Sequence, residues 1–433
     1  RNTCSSNVKR SVGILSDILH DRDDGRFVVT KPLAKSFGDP APLYISLLLQ
    51  ETILGFTPSD ETSLKDRVTA QSAHILGHED DVELVAFAIQ HRDLLFRMAS
   101  RRNVTDVTVV SQLGEIIQTE RQLACLAIVT SCRHRTAGIR SWEEYAKRDV
   151  RLLVESIFAF LQNGEEGLTS FLHRRRQHLR TRARNMMAPE DVLSFDHFIE
   201  RTGPTFWSMI DVPTAADLAF LVTLTDAHKE MGGALVQAHP QGFLQIIVYT
   251  DDVPGTFAAF AGLAAEIGGT VWGASSFPIF AMEEGHPKIA LVFQINKAGA
   301  LPGPFRLSVQ EMLRVEEKCE ALARGERPEP KIPPPVIGDR RAVFSVTPSL
   351  RIDSEMSDSA LIVEVEVLDR PGLLYYVSAA LAEISVSIQL AFVATYGHRA
   401  VDTFYLQDAP GYKITDERRI ETIRRQILRA LEE

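Results

Sequence analysis

The chain has 433 residues, 45% of them hydrophobic and 24% charged, with 47 Lys and Arg against 57 Asp and Glu for a net charge of −10. That length carries about two to four domains with cores of their own, and the acidic balance excludes nucleic acid as the default partner, because a phosphate backbone is held by a positive field. No apolar run approaches the roughly 18 residues that span a bilayer, so no membrane partner is expected, and four scattered cysteines, Cys4, Cys125, Cys132 and Cys319, without zinc spacing suit a reducing, cytoplasmic compartment.

From 1 to 162 the pattern predicts helices over 8–19, 42–53, 59–76, 80–102, 107–117, 120–131 and 142–161, with Gly77 capping the third. His74 and His78, four apart beside Asp80 and Asp81, have metal-ligand chemistry, but Gly77 between them places the pair in a surface turn. A helical connector, 163–241, carries six arginines between Arg174 and Arg184. Lacking interleaved aromatics or a recognition motif, these read as a solvated helix face, or one that docks on an acidic surface of the same protein. A helix over 214–231 leads into a first α+β module, 242–325. There a strand over 243–249 meets Asp252-Val253-Pro254-Gly255, which opens a helix striped with Phe257, Phe260, Leu263, Ala264 and Ile267, and a helix over 308–323 closes the module. The linker, 326–358, begins ERPEPKIPPP, which predicts an extended, semi-rigid segment; Phe344, Val346 and Ile352 then suggest packing along a domain.

A second module, 359–433, starts with a period-two strand, Val363, Val365 and Val367 opposing Ile362, Glu364 and Glu366, and turns at Asp369-Arg370-Pro371-Gly372. A helix striped with Leu374, Val377, Ala380, Leu381 and Ile384 follows, then strands over 386–395 and 400–407 about a tight turn at Tyr396-Gly397-His398-Arg399, and a helix over 415–431. The order is βαββα. At an offset of 117, Asp252, Pro254, Gly255, Ala265, Glu266 and Ile267 recur as Asp369, Pro371, Gly372, Ala382, Glu383 and Ile384, which predicts an internal duplication. In each turn Pro presets the first helical turn and Gly permits close backbone approach, so helix N-terminal amides face an anion such as an amino-acid carboxylate. Asp252 or Asp369 beside the turn then accepts from the ligand ammonium, or merely caps its helix.

The sequence Asp369-Arg370-Pro371-Gly372-Leu373-Leu374, with ATYGHRAVDTFY at 394–405, is similar to an ACT domain, the amino-acid-sensing module. Its wording resembles the last such domain of the PII uridylyltransferase/uridylyl-removing enzymes of nitrogen regulation, and RAVFSVTPSLRID at 341–353 and FDHFIERTGPTFWS at 195–208 resemble neighbouring segments of that family. The resemblance implies two ferredoxin-like ACT domains that sense glutamine, pair with each other or with a second copy, and act on the PII signal protein. It implies ligand contacts at Asp369, Arg370, Gly372, Leu373 and Leu374, and at Asp252, Gly255 and Thr256. The first turn departs at Val253 and Thr256, so the second is favoured.

The resemblance further implies that 1–162 is an HD-like phosphohydrolase domain, in which imidazole and carboxylate ligands would hold Mg or Mn. At the matching positions this chain has Gln50, Glu51, His91, Arg92 and Arg133, and the first His falls near Asn7. A guanidinium repels a metal ion, so the expectation is a retained fold without the chemistry, no bound metal, and a structural ion pair among Glu51, Arg92 and Arg133. Unrelated surface charges are the alternative. The Gly-Ser and paired aspartates of the family's transferase domain are not found, and the chain starts at Arg1, which suggests part of a longer protein. Competing readings are an active metal-dependent phosphohydrolase using Glu51 and His91, and an ACT interaction module that senses nothing.

Overall fold

The structure is a computed structural model describing residues 2–20, 22, 33–34, 37–52, 61–72, 74–136, 144–240, 242–280, 287–297, 305–333, 347–396, 399–409 and 411–432, with side chains except at 2–6, 51–52, 61–65, 135–136, 144–148 and 394–396. The chain divides into two compact units, Arg1–Leu172 and His173–Glu433. Phe344, Val346, Gly397 and His398, and the side chains of Glu51 and Tyr396, lie outside the described set.

The first unit is built from helices α1 (Asn2–Leu19), α2 (Ala41–Thr52), α3 (Glu61–Ser72), α4 (Glu79–Gln90), α5 (Leu94–Arg101), α6 (Val107–Ile116), α7 (Glu120–Thr136) and the first part of α8 (Glu144–Arg184). Leu123 through Val129 and Cys132 are all buried, because the middle of α7 is apolar on every side and such a stretch is stable only inside a core. The helix expected over 80–102 is two, α4 and α5, parted by a turn at His91, Arg92 and Asp93. Similarly, α3 stops at Ser72, short of Gly77. Helical geometry in α8 breaks at Asn163 and at Gly164 (φ 61°, ψ −151°), a conformation essentially reserved for glycine.

In the second unit, α9 (Val192–Glu200), α10 (Pro204–Met209) and α11 (Val212–His228) precede two modules. The first contains β1 (Gly233–Ala238), β2 (Leu244–Asp251), α12 (Thr256–Glu266), β3 (Gly269–Ile279), β4 (Lys288–Lys297) and α13 (Val309–Ala323). The second contains β5 (Ser349–Asp353), β6 (Leu361–Leu368), α14 (Leu373–Glu383), β7 (Val386–Tyr396), β8 (Arg399–Asp408) and α15 (Glu417–Glu432). The observed order is therefore ββαββα: β1 and β5 are extra hairpin strands paired with β2 and β6, and β5 falls in the stretch expected as linker. Among the described residues the strands form one antiparallel sheet ordered β1-β2-β4-β3-β7-β8-β6-β5.

The offset of 117 extends through structure: β2, α12 and β3 begin and end 117 residues before β6, α14 and β7. Both third strands carry a bulge at the same place, Trp272 and Gln389. At the seam Gly273 pairs with Phe392, Ala274 with Ala391 and Ser275 with Leu390. Ala274 thus meets its own counterpart, which is the self-complementary register of a two-fold contact. One face of the sheet buries Leu244, Ile246, Val248, Val363, Val365 and Phe404 with the helices' apolar stripes. Over the first module the other face packs against Phe195, Phe198, Phe206 and Trp207 of α9 and α10, so β2 is buried on both sides and reads as a nearly continuous apolar run.

Candidate functional site

The paired Asp-x-Pro-Gly turns are the first candidate. Gly255 (φ 86°) and Gly372 (φ 77°) stand in the left-handed conformation as N-caps of α12 and α14, which explains glycine at both. The second turn closes with the Leu373 amide donating to Arg370 O (3.3 Å) and the Tyr376 amide donating to Gly372 O (3.0 Å). In the first, Thr256 donates to Val253 O (3.1 Å) and Ala259 to Gly255 O (2.9 Å). The side chains around them are largely committed. Arg370 donates to Ala430 O (2.7 Å) with its guanidinium over the Tyr376 ring, so it ties the turn to the last helix. Leu373 and Leu374 point into the core, so their side chains do not face a ligand at the turn. The Thr256 hydroxyl is buried and accepts from Arg327 Nη2 (2.9 Å).

Arg327 belongs to the linker, whose 326–333 part crosses both modules. A β-carbon on Gly262 would fall 2.8 Å from Pro330 and one on Gly372 2.6 Å from Ile332 Cδ1, whereas one on Gly255 would meet nothing within 4 Å. The start of the linker, 326–333, is thus laid against the modules, and Ile332 covers the glycine of the favoured turn.

Sequence reasoning missed Asp402. On β8 it lies in register with Val365 of β6 and Val393 of β7, on the helix-covered face, and is 2% exposed. Its Oδ1 has no hydrogen-bond partner among the described residues. Burial, with Asp369's charge added, pushes its carboxyl well above the usual range. The corresponding position in the first module, paired with Val248 and Ser276, is Leu291. A signal was present: Ala400, Asp402, Phe404 and Leu406 share one face of a strand. Asp252 is also raised by burial.

In the helical unit the structure brings Arg92 and Arg133 together. Arg133 Nη1 pairs with Asp93 Oδ1, and Arg92 Nε lies 3.5 Å from Asp93 Oδ2, so the carboxylate they share is Asp93. His91 ends α4 against the Phe87 ring, and Gln50 is 1% exposed with Oε1 lacking a partner among the described residues. Buried His134, stacked on Phe96 at 3.9 Å, is pushed down to about 4 by burial and by Arg133's charge, against Asp93. Two guanidiniums around one carboxylate do not fit a divalent cation, which they would repel. Among the described residues no group of three or more His, Cys, Asp or Glu could hold a metal ion; His74 and His78 are exposed. Nor is any described helix long and apolar enough to cross a membrane.

The family described as ACR family N-terminal ACT domain matches residues 356–432. Bifunctional uridylyltransferase/uridylyl-removing enzymes of Phenylobacterium zucineum (29% identical, 99% of this chain and 45% of the relative), Caulobacter vibrioides (27%, 100% and 45%) and Ruegeria pomeroyi (29%, 95% and 45%) align with it. The chain therefore spans a little under half the length of these relatives, and no solved structure matches it. The homologues of this chain, across nearly all of its own length, are bifunctional uridylyltransferase/uridylyl-removing enzymes, and its C-terminus is an ACT domain.

Proposed function

We propose that this chain is the regulatory part of a PII uridylyltransferase/uridylyl-removing enzyme, in which a pair of ferredoxin-like ACT domains, 242–325 and 359–433, senses glutamine and so sets the modification state of PII. The observation that carries the reading is the repeat of one Asp-x-Pro-Gly turn in two modules joined in a two-fold register. Helix N-terminal amides suit the ligand carboxylate, and a nearby aspartate suits its ammonium. We assign binding to the second module, because it alone sets a buried acid, Asp402, under the influence of Asp369's charge, where the first has Leu291. Since Ile332 covers Gly372, a ligand reaching that turn displaces the linker around Ile332, whose 326–333 part touches both modules. The two arrangements of the strap then differ in ligand affinity, which is the requirement for coupling.

The degenerate HD-like domain, 1–162, joined through the connector 163–241, is read as inactive, supported by the Arg92–Asp93–Arg133 cluster. Buried thiols at Cys125, Cys132 and Cys319 suit a cytoplasmic setting. Calorimetry with glutamine tests the sensor: wild type gives saturable heat, and Asp369→Ala loses it. Absence of heat with wild type refutes glutamine sensing, and metal-dependent release of UMP from modified PII refutes the inactive HD site.

A further inference from the structure

We infer that the cleft formed by His173, Arg176, Gln177 and Arg180 of α8 with Pro204 of α10 binds a small oxyanion of the phosphate class. His173, Arg176 and Arg180 recur at helical spacing and share one face. Arg180 is half-buried and laid against an aromatic ring. Its guanidinium lies 5.5 Å from the centre of the Trp207 ring, and its Nε is buried with no hydrogen-bond partner among the described residues. Burial and the neighbouring Arg176 both lower its proton affinity, with no carboxylate among the causes. Asp196, one of the two acids carried by α9, is engaged bidentately by Arg184 at 2.7 and 2.9 Å. A part-buried guanidinium set beside a like charge gains from a bound anion that its outward N–H groups can reach.

The geometry selects the anion. A guanidinium clamped on an aromatic face presents its remaining N–H groups as a fixed fork, which matches two oxygens of a phosphate or phosphoryl group. The cleft has a volume of about 130 Å³ and is partly open to solvent. That admits a phosphoryl group, with any attached nucleoside extending toward solvent. On a chain of net charge −10, such a cationic pocket resists the overall field and selects by local contact.

Equilibrium dialysis of the full chain against radiolabelled inorganic phosphate, at constant ionic strength, tests the site. The expected result is saturable binding that Arg180→Gln and Arg176→Gln each weaken about tenfold or more, with far-UV circular dichroism unchanged. Arg180→Lys, which keeps charge but not the fork, also weakens it. Competition by a nucleoside monophosphate assigns the phosphoryl group to a nucleotide; its absence assigns the site to free phosphate. No saturable binding, or binding unaltered in both glutamine variants, overturns the inference.

Discussion

Replacing Asp402 by leucine should stabilise the second unit, and increasingly so as pH rises. In the wild type a carboxyl whose Oδ1 has no hydrogen-bond partner among the described residues sits between Val365 and Val393 under the helices, and leaving a buried polar atom unsatisfied costs about 1–3 kcal/mol. Leu291 fills the same place in the first module at 0% exposure, so the site's strand geometry accepts leucine. At low pH, where native and unfolded chains both hold the proton, the gain is this neutral-group cost. Above ~3.9 the unfolded carboxyl ionises while native Asp402, raised by burial and by Asp369, keeps its proton. The native state then binds one more proton than the unfolded, and its stability falls by about 1.4 kcal/mol per pH unit until the raised native value is passed. Leucine has no such proton, so the two profiles diverge across that window. Urea unfolding between pH 4 and 8, with hydrogen exchange of the β6 and β8 peptides to locate the change, measures both effects. A D402L protein less stable than wild type at pH 7, or profiles that stay parallel, would refute the reasoning.

The two turn glycines should respond unequally. Gly255→Ala costs about 1–2 kcal/mol for a left-handed residue, whereas Gly372→Ala costs more, because its β-carbon also strikes Ile332; equal shifts in urea midpoint would disprove the linker contact. In the helical unit the sign of pH dependence reverses. His134, held at about 4 against an ordinary 6.5, contributes stability that is complete above pH 6.5 and drains as pH falls toward 4, by about 3 kcal/mol in all. His134→Phe, which preserves the stack on Phe96, should flatten that limb, and a persisting acid-side slope in the unit would assign it elsewhere.

Residues close in sequence were legible where local physics governs them. The turn glycines, the helix stripes and the repeat offset follow from backbone sterics and burial period, and they appear within a few residues of where they were expected. The break at His91–Asp93 was not legible, since apolar periodicity continues from α4 into α5. Nor were β1 and β5, which are stabilised by pairing with β2 and β6 and not by their own propensity.

By itself the sequence determined that two copies of one α+β module follow a helical region, because a period of apolar residues and an Asp-x-Pro-Gly turn act within a few residues of themselves. Tertiary structure alone decided which distant groups meet. Two arginines 41 positions apart share Asp93, a linker isoleucine covers Gly372, and an aspartate is buried where its repeat has leucine. Contacts and desolvation of this kind depend on chain crossings that no local pattern records.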